Sequence, residues 1–181
     1  EKVSSSFVSN PTGLKEQVAA EAMARAGVAA GSLKDDPMEA IRELGDPMMP
    51  CALGLISGLS CSNSGCRVVL AGGTQMATVL ALGKSLDLKG DISIATTKYI
   101  MEDGTANFRQ IVEATKRPYY YADPGLERSK IPGLQVYAQG YVKEGVGMGG
   151  ASLLAGLYGF TQDQLVSETD RVLMTVELPK K

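Results

Sequence analysis

The chain has 181 residues, of which 44% are apolar, a formal charge of −2, three cysteines and no histidine. That length suits one α/β domain with a core of its own, and the near-neutral balance, without a long Lys/Arg run, removes the electrostatic basis for binding nucleic acid. The missing histidine excludes Ser-His-Asp and Cys-His catalysis and the common zinc sites, so proton transfer falls to Asp, Glu, Lys, Tyr or Cys.

In chain order, Asn10 or Thr12 is expected to start a helix through Leu14, Val18, Ala22 and Met23, ending near Gly27 or Gly31. Asp36-Pro37 opens a second helix, and Asp46-Pro47 a third over residues 48–59, because Asp caps a helix N-terminus and Pro is favoured in its first turn. Alternation typical of a parallel sheet follows. Residues 66–71 read as a buried strand, Gly72-Gly73-Thr74 as a tight turn and 75–86 as a helix. Next come a strand at 91–95, a polar turn Thr96-Thr97-Lys98, a helix from about Thr105 to Thr115, and strands at 118–122 and 134–138. The Gly-rich run 145–150 leads into a helix at 151–155, and Thr161-Gln162-Asp163-Gln164 is a capping box for a last helix, expected to pack through Leu165, Val172, Leu173 and Val176 on the sheet or on another subunit. The expected fold is therefore α/β, a mainly parallel sheet with flanking helices in a Rossmann-like three-layer arrangement, and one domain over residues 1–181.

The apolar stretches 48–59 and 149–160 contain glycines and fall short of the roughly 20 residues that span a bilayer. Cys51, Cys61 and Cys66 cannot all pair with one another, so a reducing cytoplasm is the expected setting and buried small hydrophobes their expected role, with no metal. The abrupt start at Glu1 fits a portion of a longer protein.

Ligands of open parallel sheets gather at the carboxyl ends of the strands. The candidates there are Gly72, Gly73 and Thr74, the hydroxyls of Thr96 and Thr97, and the segment Glu144-Gly145-Val146-Gly147. Glycines let main-chain N–H groups close on an anion, and the following helix offers its partly positive N-terminus. Each feature also has a plain structural reading: a tight connection, a helix cap, or a solvated loop acid paired with Lys143.

The run from Asp36 to Gly45, the helix after Cys51, the strand and turn from Val68 to Thr74, and above all Glu144-Gly145-Val146-Gly147-Met148-Gly149-Gly150-Ala151 resemble the nicotinate-nucleotide:dimethylbenzimidazole phosphoribosyltransferases, in their archaeal-type branch. The likeness follows chain order over most of the length, and its most specific part matches an E-G-x-G-x-x-A motif. It implies transfer of phosphoribose from nicotinate mononucleotide to 5,6-dimethylbenzimidazole in cobalamin lower-ligand synthesis, by a cytoplasmic homodimer with no cofactor. Glu144 falls on the family's catalytic base. Gly72, Gly73, Thr74, Thr96, Thr97, Gly145, Gly147 and Lys15 are the implied phosphate and substrate contacts. The family's other glycine-rich phosphate loop lies upstream of the matched stretch, so the chain corresponds to a C-terminal portion. Two other readings stay open beside it: a non-catalytic nucleotide-binding or regulatory module, and a structural piece whose glycines only permit close packing.

Overall fold

The computed structural model describes residues 11–62, 65–141 and 147–176. Helices α1 (Thr12–Ala26), α2 (Pro37–Leu44) and α3 (Met48–Cys61) precede strand β1 (Arg67–Ala71), helix α4 (Thr74–Ser85) and strand β2 (Asp91–Thr97). Helices α5 (Lys98–Met101) and α6 (Phe108–Thr115), strand β3 (Tyr119–Ala122), helix α7 (Pro132–Gln135), and helices α8 (Met148–Leu157) and α9 (Gln162–Thr175) follow. The caps are where the sequence places them. Asp36 accepts the N–H of Glu39 at 3.0 Å, and Asp46 accepts those of Met48 and Met49 at 2.9 and 3.1 Å. Thr161 and Gln164 close a reciprocal capping box.

The strands form a parallel sheet in the order β1-β2-β3, which bears out the α/β, Rossmann-like expectation. Strand periodicity divides its two faces. The pairs Val68↔Ile92 and Leu70↔Ile94 face the core, where Leu53 and Ile56 of α3, Leu80 of α4 and Phe108 and Val112 of α6 pack against them. The opposite face carries the pairs Val69↔Ser93 and Ala71↔Ala95, and α8 crosses it. Three layers result.

Several expectations need correction. Residues 134–138 are helical: Pro132 starts α7 where its missing N–H costs nothing, and a 3-10 turn, Val136–Gln139, completes it. Tyr137, instead of joining a strand, meets Tyr99 with ring centroids 5.8 Å apart. Thr96 and Thr97 are the last residues of β2, wholly buried, because pairing with Tyr121 and Ala122 extends the strand past Ala95. The helix expected from Thr105 begins at Phe108, since the Asp103 carboxylate accepts the N–H and hydroxyl of Thr105 and holds a turn. Strand β1 is half exposed because it lies at the sheet's edge. Helix α9 buries Val166 and Asp170, and leaves Val172, Leu173 and Val176 exposed. All three cysteines are exposed, since α3 turns Leu53 and Ile56 to the core and Cys51 and Cys61 away from it.

Candidate functional site

The carboxyl edge of the sheet is built by close backbone approach. At the end of β1 the Gly72 N–H donates to the Ala95 carbonyl at 3.1 Å, tying the turn to β2, and α4 starts directly after it with Thr74 buried. Helix α8 begins at the same place. Its N-cap, Gly147, is left-handed at φ 79°, and a Cβ there would lie 3.4 Å from that of Ala71. A Cβ on Gly149 would come within 2.1 Å of the Thr96 carbonyl carbon, and one on Gly150 within 2.4 Å of the Ala71 Cβ. Such distances are sterically closed to any side chain, so the glycines are what lets the first turn of α8 lie on the ends of β1 and β2.

Two helices thus start at one edge, each behind a glycine N-cap, Gly73 and Gly147, which has no side chain of its own. Helix starts suit an anion, because main-chain N–H groups and the helix dipole point the same way there. Fold packing brings together Gly72, Gly73, Thr74, Thr96, Thr97 and Gly147. Glu144 and Gly145 lie outside the described residues. Lys15 stands in the first turn of α1, which packs on α2.

A charged cluster adjoins the threonines. Lys98 Nζ lies 2.9 Å from Asp123, just past β3, and 3.2 Å from Glu127. Glu127 also accepts from the Tyr99 hydroxyl at 3.1 Å, and that hydroxyl accepts the Leu126 N–H at 3.2 Å. Burial would raise the Asp123 and Glu127 carboxyls, but hydrogen bonds from Lys98 and from backbone N–H groups outweigh it, holding both below the ordinary carboxylate range. Burial would lower Lys98, and its two acidic partners raise it instead. Burial, reinforced by Glu127, drives the Tyr99 hydroxyl well upward. The sequence reading passed over Lys98 and Asp123. Their signal was a charged residue directly after each strand, where ligand-side groups collect. Among the described residues no three His, Cys, Asp or Glu side chains are grouped to hold a metal ion, and no helix is long and apolar enough to cross a membrane.

No family model matches the chain. It is 51% identical over 172 residues to a UPF0284 protein of Methanosarcina mazei, which covers 94% of this chain and 49% of that relative. A UPF0284 protein of Methanosarcina acetivorans is 48% identical over 172 residues, with the same coverage. One from Thermococcus kodakarensis is 45% identical over 184 residues, or 98% of this chain and 53% of its own. These names carry no activity, substrate or partner. The chain is similar to the UPF0284 proteins over nearly all of its length and spans about half the length of the curated relatives it matches.

Proposed function

We propose that this chain forms the base-activating part of a cytoplasmic, homodimeric phosphoribosyltransferase that moves phosphoribose from nicotinate mononucleotide to a benzimidazole, releasing nicotinate and α-ribazole 5′-phosphate. The observation that carries the reading is the meeting of the Gly72-Gly73-Thr74 turn, the Thr96-Thr97 strand end and the glycine N-terminus of α8 at one edge. The resemblance of the 144–151 segment to the family motif supports it. In the sequence Glu144 precedes Gly147, the N-cap of α8, by three residues.

The chemistry needs no histidine. The bond from C1′ to the pyridinium nitrogen breaks with its electron pair leaving on nicotinate, while one benzimidazole nitrogen attacks C1′ from the opposite face. The other nitrogen loses its proton to the Glu144 carboxylate, which returns it to water after product leaves. The cation on the leaving pyridinium makes a general acid unnecessary. N–H groups of the two helix starts would hold the 5′-phosphate, and the threonine edge would position the ribose.

The test incubates a polypeptide of the relatives' full length, carrying this chain, with nicotinate mononucleotide and dimethylbenzimidazole and follows free nicotinate. Benzimidazole-dependent release is expected, and Glu144→Gln should lower it by about 10²-fold or more, the usual contribution of a positioned base. Undiminished turnover in that variant removes Glu144 from the role. Nucleotide binding without nicotinate release would instead favour a non-catalytic nucleotide module.

A further inference from the structure

Parallel sheets are covered on both faces, because the crossovers between strands lay helices on each. Here α8 crosses the second face, where Ser93, Ala95 and Thr97 of β2 are buried, but the β1 side of that face stays open. Gly150 sits against Ala71 and Ala95, while Val69, two residues back on the same side of β1, is 45% exposed. The helix shows the same mismatch. Leu157 follows Gly150 by two helical turns, on the same stripe, and is nevertheless 77% exposed. Leu154, Tyr158 and Phe160 extend this exposed apolar surface around the end of α8. Among the described residues, the far end of this stripe and the β1 side of the sheet face both stand in solvent.

The relatives carry about as much chain again outside the portion they share with this one. We propose that this remaining portion seats against the β1 side of that face and the far end of α8, burying Val69 and Leu157 and completing the second helical layer. The outer edge of β1 has no strand partner among the described residues, and it faces the same occupant. The surface is apolar in the manner of a permanent contact within one folded unit, not of a transient encounter. The inference does not depend on the phosphoribosyl reading: the surface would be covered whether or not the edge is catalytic.

The test co-expresses this chain with the portion of the Methanosarcina mazei relative outside the match, after Cys51, Cys61 and Cys66 are changed to serine and Leu157→Cys is introduced. A stable complex is expected, with maleimide labelling at position 157 slowed at least about tenfold against the chain alone, as burial in a stable contact requires. Leu157→Asp or Val69→Asp should abolish the complex, and Val18→Asp on the exposed face of α1 should leave it intact. These side chains are exposed, so each variant is expected to fold, which circular dichroism checks. Absence of a complex, or full-rate labelling at position 157 within it, overturns the proposal. So does a chain that dimerises alone and already protects that position, since the face would then belong to a second copy.

Discussion

At Gly150 the fold leaves no room for a methyl group: the added Cβ would press on both the Cβ and, at 3.2 Å, the Cα of Ala71. Alanine is the better helix former by about 1 kcal/mol, so propensity alone would make Gly150→Ala stabilising. Overpacking costs typically about 1–3 kcal/mol, and here it meets backbone, so the net expectation is a loss near 2 kcal/mol in denaturant unfolding. Adding Ala71→Gly should recover part of that loss, giving a non-zero coupling in the double-mutant cycle. A Gly150→Ala chain as stable as the parent would contradict the packing described. In the sequence the phosphate contacts fall on Gly145 and Gly147 of this run, with close helix packing kept open as the other reading of its glycines. Their tightest contacts in the fold are with strand ends, Gly149 on Thr96 and Gly150 on Ala71, and that pressure comes from β1 and β2, some 50 residues or more earlier in the chain.

Helix α9 is fastened mostly by polar groups. Arg128 pairs with Asp163 and Gln162, Gln162 donates to the Asp123 carbonyl at 2.9 Å, and Asp170 accepts from the Ser129 hydroxyl and the Lys130 N–H. Its capping box was legible in the sequence because all its partners lie within four residues. Thr161→Ala should therefore cost about 1 kcal/mol, read as a melting point lower by about 2–4 °C for a chain of this size. The 134–138 segment shows the opposite case. Its β-favouring Val136 and Tyr137 suggest a strand, but propensity is weak against Pro132 at a helix start and the aromatic contact with Tyr99. The contact of α9 within the chain was not legible for a similar reason: no local pattern reveals that Asp170 reaches back to residues 129 and 130.

For the molecule as a whole, stability should rise with pH through the acid range. Asp123, Glu127 and Asp170 titrate below their ordinary values of 3.8, 4.5 and 3.8, so between the lowered and ordinary values the unfolded chain binds more protons. Their contribution is present above about pH 4.5 and is lost as pH falls through the lowered values. Lys98, raised above 10.5, contributes below that pH and loses its contribution only as pH rises past its folded value. Lys98→Met removes the centre of the cluster. Both carboxylates stay more than a third exposed, so screening limits the cost to about 1 kcal/mol at neutral pH, with a flatter acid limb in chemical denaturation. An unchanged pH profile would mean that the pairing seen around Lys98 does not persist in solution.

The sequence by itself determined the α/β class, three of the strands, most helix starts and the glycine segment, because caps, turns and the alternation of strand and helix are local and written within a few residues. It also restricted the chemistry, since a chain without histidine must move protons with other groups. Only the tertiary structure decided that Thr96 and Thr97 are strand ends, that Lys98 meets Asp123 and Glu127, and that α8 lies on the sheet yet leaves Val69 and Leu157 in solvent. Those facts depend on which strand pairs with which and on how closely two backbones approach. Such distances are set by packing between segments far apart in the chain, and no window of residues encodes them.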